Sequence, residues 1–202
     1  MSIGRLAPLG CWSMAVLMLA ATATTANAQG HDGHATAAQN RPGPRDGALV
    51  KAVREATQPY IDVEDAKKAG YGLLFGCVSG GDFGAMGLHF VSTSLVFDEG
   101  ELDVAQPEIV LYEPMPNGKM RITGADYLVL AADWDAKHPG QPPALMGQLF
   151  HLFESPNRFG LPAFYTLHVW AWKDNPAGTF GNWNPAVSCN AFTPPPGGDE
   201  TH

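Results

Sequence analysis

The stretch EIVLYEPMPNGKMRITGADYLVLA, residues 108–131, decides how this chain folds. Apolar and β-branched residues fill both of its ends, and Asn117-Gly118 lies in the middle. Asn-Gly between two such runs is a strong short-range signal for a β-hairpin, and two nearby prolines lengthen the loop. We therefore predict neighbouring antiparallel strands at 108–113 and 120–131.

Short apolar runs separated by turns rich in Gly, Pro and Asn continue on both sides of the hairpin. They predict four more strands, at 71–78, 86–96, 148–154 and 163–173. Abundant turn residues, 23 Gly and 17 Pro in the chain, favour strands and ordered loops over long helices.

Helical periodicity precedes the strands. Apolar residues at Leu49, Val53 and Ala56 share one face of a helix predicted over 47–57. A second short helix begins after Asp62 as N-cap and ends at Gly70. The fold class that follows is α+β: one or two N-terminal helices packed on a strongly curved antiparallel sheet or small open β-barrel.

The N-terminus has the order of regions found in a secretory signal peptide. Arg5 precedes an apolar run from Trp12 to Ala23, and a small-residue cleavage pattern ends at Ala28. The run is shorter than the roughly 20 residues that a membrane helix needs. We predict a signal peptide at 1–28 and a periplasmic or secreted protein.

The rest of the chain divides into three parts. Residues 29–45 lack apolar periodicity and predict a disordered linker. Residues 46–193 form one globular domain, and 194–202 a flexible tail. Cleavage after residue 28 would expose Gln29-Gly30-His31, whose amine, amides and imidazole suit Cu(II) or Ni(II); the alternative is a merely polar segment.

Charge and hydropathy exclude two classes of partner. The net charge is −8, and loss of the signal peptide removes Arg5 but no acidic residue. Nucleic acids and anionic membranes need clustered Lys and Arg, so we expect neither as a partner. We also expect no membrane span in the mature chain. Its oligomeric state does not follow from the sequence.

Two cysteines, Cys77 and Cys189, remain after the predicted cleavage. An even pair in an oxidising compartment predicts a disulfide bond. Two thiolate metal ligands are the alternative.

Several motifs span most of the predicted domain. They are Ala69-Gly70-Tyr71, Gly84-Ala85-Met86-Gly87-Leu88-His89-Phe90, Pro107-Glu108, Leu111-Tyr112-Glu113-Pro114, Tyr165-Thr166-Leu167-His168-Val169-Trp170, Asn175-Pro176-Ala177-Gly178-Thr179-Phe180, and Asn184-Pro185 followed by Cys189. In these motifs the chain resembles a group of exported bacterial proteins of no established activity. Asp126-Tyr127 stands where that group has Glu-Tyr. The resemblance implies a single fold unit and no particular chemistry.

The strand at 163–173 has a polar and aromatic face. Because side chains alternate along a strand, Thr166, His168, Trp170 and Trp172 share one face. Such a face could bind an apolar or aromatic ligand, or a metal behind an aromatic wall. The alternative is a hydrogen-bonded histidine beside tryptophans that pack on the helices.

A metal site is the leading functional hypothesis. His89 lies in mid-strand beside Gly87, which leaves space near its ring. With His168 and one carboxylate, Glu113 as first choice or Asp126, it would form a mononuclear Zn, Cu, Fe or Mn site. The residues have no compact motif spacing, and the sequence leaves open whether the protein is an enzyme.

Two other functions remain open at this stage. One is a metal-free protein that binds an apolar or aromatic small molecule on the face of His168. The other is a structural, envelope-associated domain without a small ligand.

Overall fold

The computed structural model describes residues 47–194. The predicted signal peptide, the linker with its Gln29-Gly30-His31 motif, and nearly all of the predicted tail lie outside the described residues.

Two helices open the described chain, as the sequence predicts. Helix α1 is Ala48–Thr57 and buries Leu49, Val50 and Val53. A short 3-10 turn leads to helix α2, Val63–Lys68, where the Asp62 carboxylate accepts a hydrogen bond from the Glu64 amide. This contact satisfies one of the free amides at the helix start.

A six-stranded antiparallel sheet follows, in the order β1-β2-β3-β4-β8-β7, with a separate β5–β6 pair. The strands are β1 Gly72–Ser79, β2 Ala85–Val91, β3 Ile109–Pro114, β4 Met120–Leu130, β5 Ala144–Leu145, β6 Gln148–Leu149, β7 His151–Phe153 and β8 Phe164–Val169. Four helices, with α3 Thr93–Val96 and α4 Ala131–Lys137, pack with this sheet, which is curled into a half-barrel. The predicted α+β class with a strongly curved antiparallel sheet is confirmed.

The β3–β4 hairpin forms around Asn117-Gly118. The Met115 amide donates to the Lys119 carbonyl at 2.8 Å, and the Asn117 side chain accepts from the Lys119 amide. Gly118 has φ of +75°, a conformation that a side chain would make unfavourable. Local turn chemistry therefore sets the register of the two central strands.

Three predicted strands end earlier than the sequence pattern indicates. The strand predicted at 86–96 ends at Val91 and gives way to α3. The one at 148–154 divides into β6 and β7, and the one at 163–173 ends at Val169. Helix α4 was not predicted, because its apolar start continues the pattern of β4 without interruption.

The two faces of the sheet have different environments. Leu49, Val50 and Val53 of α1 pack against Tyr127 and Leu167 on the convex face. The concave face has its own apolar cluster, made of Val91, Val96, Ile109, Leu111, Leu128 and Phe164. Polar residues that point to the concave side are therefore buried inside the curl of the sheet.

Cys77 and Cys189 lie at disulfide-bonding distance, with 2.08 Å between the sulfur atoms and a separation of 112 positions in sequence. The pair links β1 to the end of the described chain. Within residues 47–194, no helix is long and apolar enough to cross a membrane.

Candidate functional site

Three strands contribute titratable side chains to the concave face: His89 from β2, Asp126 from β4 and His168 from β8. One potential ligand atom from each residue lies within 4.8 Å of the other two. The exposed fractions are only 3%, 3% and 2%, respectively. The sheet therefore encloses two imidazoles and one carboxylate away from solvent.

Sheet curvature brings these residues together. Strands β2 and β8 are three positions apart in the sheet, which corresponds to about 14 Å if the sheet were flat. The ring centroids of His89 and His168 are nevertheless 5.9 Å apart. Gly124 on β4 contributes to this packing, because a Cβ atom there would collide with the Val169 carbonyl oxygen of β8.

The hydrogen bonds of the group leave several nitrogen atoms available. His89 Nδ1 lies 3.2 Å from the Gly87 carbonyl oxygen and donates to it when it carries the proton, which leaves Nε2 as a free acceptor. The Thr166 hydroxyl donates to Asp126 Oδ1. Neither ring nitrogen of His168 makes a hydrogen bond of normal geometry within the described residues, although Nδ1 is 3.4 Å from Asp126 Oδ1 and the Asn182 side chain lies close enough to oppose the lowering of the His168 pKa.

Burial controls the protonation states. Desolvation, with the neighbouring His168, lowers the pKa of His89 to about 4. Desolvation also lowers the pKa of His168 to about 3, and the charge of His151 adds to this effect. Desolvation raises the pKa of Asp126 to about 6, against the hydrogen bond from Thr166. At neutral pH the site thus holds two neutral imidazoles and a mostly ionised carboxylate.

A small cavity lies next to the polar group. Its free space is about 20 Å³, enough for one water molecule or ion. Phe159 and three aromatic side chains in ring contact with it form part of its lining, and we call these four the aromatic wall: Phe75, Phe153, Phe159 and Phe164.

Thr166 lies on the face of His168, as strand alternation predicts, and Trp170, just after the strand, also lies beside His168. The Trp170 ring stacks on His168 with 6.1 Å between centroids, and its Nε1 donates to the Gly181 carbonyl. Trp170 packs with Ala85 and Val187 and is not part of the cavity lining. It supports the imidazole from outside the cavity.

Trp172 does not share the face of His168, which corrects the prediction from sequence. Its indole Nε1 donates to the Thr57 hydroxyl at the end of α1, and its ring packs in the convex-face core. Regular alternation stops after Val169, where the strand ends. Beyond Val169, the alternation of side chains along a strand no longer indicates on which face a side chain lies.

Glu113, the first-choice carboxylate from the sequence, is engaged elsewhere. Its carboxylate accepts from Arg121 at 2.5 Å, from Lys173 at 2.6 Å and from the Ser188 amide at 3.1 Å. Desolvation is the largest single effect on the pKa of Glu113 and raises it. The hydrogen bonds and charges of these partners, chiefly Lys173, together outweigh desolvation, so the pKa of Glu113 is lowered. Glu113 is outside the three-residue group, and Asp126 is the carboxylate that the fold places beside both histidines.

Sequence reasoning missed the aromatic wall. Phe159 lies in the loop before β8, where no periodic pattern exists. Phe75 has φ of +65° and lies in a bulge where Phe75 and Gly76 interrupt the pairing between Leu74 and Cys77. Gly76 directly after an apolar run was the one available signal, because glycine inside a strand indicates a bulge.

The fold and the site define a class: an α+β protein with a curled antiparallel sheet and a buried His-Asp-His group on its concave face. No known protein family, curated protein or solved structure matches this chain. Its function is therefore inferred from its own residues.

Proposed function

We propose that this chain is an exported, single-domain protein that binds one divalent transition-metal ion through His89, Asp126 and His168. The observation that carries the proposal is the buried imidazole of His168, whose ring nitrogens make no hydrogen bond of normal geometry within the described residues, next to a second histidine and a carboxylate. Buried polar atoms without partners cost about 1–3 kcal/mol each, and a metal ion would satisfy them. Two imidazoles and a carboxylate suit Zn, Fe, Cu or Mn.

Electrostatics supports the same proposal. Asp126 is almost fully buried, and its carboxylate contacts the side chains of Thr166 and His168. Neither of these two side chains is cationic at neutral pH. A buried carboxylate without a cation is unfavourable, as its raised pKa reflects. A divalent ion would supply the missing positive charge and use both neutral imidazoles without first displacing a proton from them.

The arrangement also has features of a reactive metal site. Three protein ligands leave at least one coordination position, which the 20 Å³ cavity beside the group could supply. A metal ion with an open position can polarise a bound ligand or lower the pKa of a bound water molecule. A cavity this small supports an ion more than the metal-free binding of an aromatic molecule.

Export is part of the proposal. The predicted signal peptide at 1–28 motivates it, and the bonding distance between Cys77 and Cys189 is compatible with it, since disulfides persist in oxidising compartments.

Elemental analysis and calorimetry of the chain, stripped of metal and reloaded, test the metal site. We expect one ion per chain in the wild type and none in the His89→Ala, His168→Ala double variant. His138→Ala, which removes a histidine that stacks on Trp134 at the end of α4, is the matched control and should keep the ion. His31→Ala tests the N-terminal motif in the same way. Full metal content in the double variant would contradict the proposal.

A further inference from the structure

The aromatic wall restricts what can reach the polar group. Phe159 lies edge-on to Phe75, with 5.4 Å between ring centroids, and also contacts Phe153 and Phe164. Phe153 in turn stacks on Phe164 at 5.2 Å. The rings thus form one continuous apolar surface beside the site.

The backbone at Phe75 is held in an unfavourable conformation to build this surface. A non-glycine residue at φ of +65° costs about 1–2 kcal/mol, and such strain is concentrated at functional sites. On either side of the bulge, β1 pairs with β2 so that Leu74 lies opposite His89 and Cys77 lies opposite Leu88. The bulge therefore places the Phe75 ring next to the strand segment that carries the candidate ligand His89.

The side chains that line the cavity add no positive charge to that of a bound ion. The described residues that line it include no lysine and no arginine. Arg158, the neighbour of Phe159 in sequence, has its guanidinium 5.5 Å from the centroid of the Trp183 ring and is not a lining residue. The one charged side chain among the described lining residues is Asp126, which offsets one of the two positive charges of a bound divalent ion.

Space is the second restriction. The free volume is about 20 Å³, and His89, Asp126 and His168 are each exposed by 3% or less. A ligand larger than a few atoms must displace the aromatic wall to reach the group.

We propose that the open coordination position takes a small, uncharged molecule of the size of dioxygen or nitric oxide, and rejects anions and ring-sized ligands. This inference rests on the proposed function, because it presumes an ion held by His89, Asp126 and His168. Apolar walls and a narrow volume favour neutral ligands of two or three atoms, which lose little hydration on entry.

The test uses the iron(II)-loaded chain without oxygen, after elemental analysis has established the metal content. The probes are nitric oxide, which is small and neutral; azide, which is small and anionic; and imidazole, which is neutral and larger. Binding is followed by visible absorption and by the electron paramagnetic resonance of the iron–nitrosyl complex. Phe159→Ala opens the wall, and Phe97→Ala removes an exposed ring, 67% accessible, as the matched control.

We expect the wild type and Phe97→Ala to bind nitric oxide and to show no response to azide or imidazole. Phe159→Ala should bind imidazole at least about tenfold more tightly than the wild type and still reject azide. Iron-loaded wild type that binds azide, that binds imidazole as tightly as Phe159→Ala does, or that forms no nitrosyl complex would overturn this inference alone. A chain that takes up no metal would overturn the proposed function with it.

Discussion

His168 and Asp126 face each other across the β4–β8 pair, with His168 Nδ1 3.4 Å from Asp126 Oδ1. Neither strand alone creates this relationship, since the two residues are 42 positions apart in sequence. Thr166, two residues before His168 and on the same face, donates its hydroxyl to the same carboxylate oxygen. Two side chains of β8 thus approach the same oxygen of the Asp126 carboxylate.

Replacing Thr166 with valine should weaken metal binding without removing a ligand. The Thr166 hydroxyl orients Asp126, and partners that orient metal ligands typically contribute 10–100-fold to affinity. We expect a loss of this size for Thr166→Val in calorimetric titration. Thr166→Ser keeps the hydroxyl and should bind the ion nearly as tightly as the wild type. Equal affinity in all three proteins would show that the Thr166 hydroxyl does not contribute to metal binding through Asp126.

Metal affinity should fall below about pH 6. The pKa of Asp126 is raised to about 6, so protons compete with the ion for this carboxylate below that value. The histidines, with pKa values of about 4 and 3, stay neutral through this range. We expect a constant affinity from pH 8 to about 6.5 and then a loss approaching tenfold per pH unit, measured by competition with a chelator of known affinity. A loss that starts well above pH 7 would contradict the assignment of Asp126 as the titrating ligand.

The sequence predicted the parts of the fold that depend on local chemistry. Asn117-Gly118 specified the central hairpin, and alternation assigned His89 and His168 to definite strand faces. The sequence could not show that those two faces converge. The curvature of the sheet depends on bulges and on close backbone contacts, such as that of Gly124 with the Val169 carbonyl. For this reason the choice between Glu113 and Asp126 could not be made from spacing.

Stability of the metal-free protein should decrease as the pH rises from about 6.5 to 8. Burial raises the pKa of Glu108 to about 8, above its ordinary value of 4.5. In this range the unfolded chain has released the proton that the folded chain still holds, so the free energy of unfolding falls with increasing pH. The buried histidines have lowered pKa values and affect stability below about pH 6.5, in the opposite direction.

The expected decrease is about 1–2 kcal/mol, since each unit of pKa difference corresponds to 1.36 kcal/mol. Urea unfolding of the wild type and of Glu108→Gln, both with chelator, measures it. The glutamine can still accept the hydrogen bond that the Leu128 amide donates, and it does not titrate, so its profile should be flat in this range. Parallel profiles for the two proteins would exclude Glu108 as the cause.

Replacing Glu113 with glutamine should lower stability and leave metal binding unchanged. Lys173 is only 18% exposed and donates to the Glu113 carboxylate, which also accepts from Arg121 and from the Ser188 amide. Removing one partner of a buried ion pair leaves the other charge uncompensated, which costs about 3–5 kcal/mol when burial is complete. The cost is lower here because Arg121 is half exposed. We expect a loss of about 2–3 kcal/mol in urea unfolding, with the wild-type metal stoichiometry and affinity retained.

Asp126→Asn should give the opposite result, a protein that folds but loses most of its affinity for the ion. If Glu113→Gln weakened metal binding as much as Asp126→Asn does, the ion would lie between β3 and the chain segment around Ser188, and the His-Asp-His group would not be the metal site.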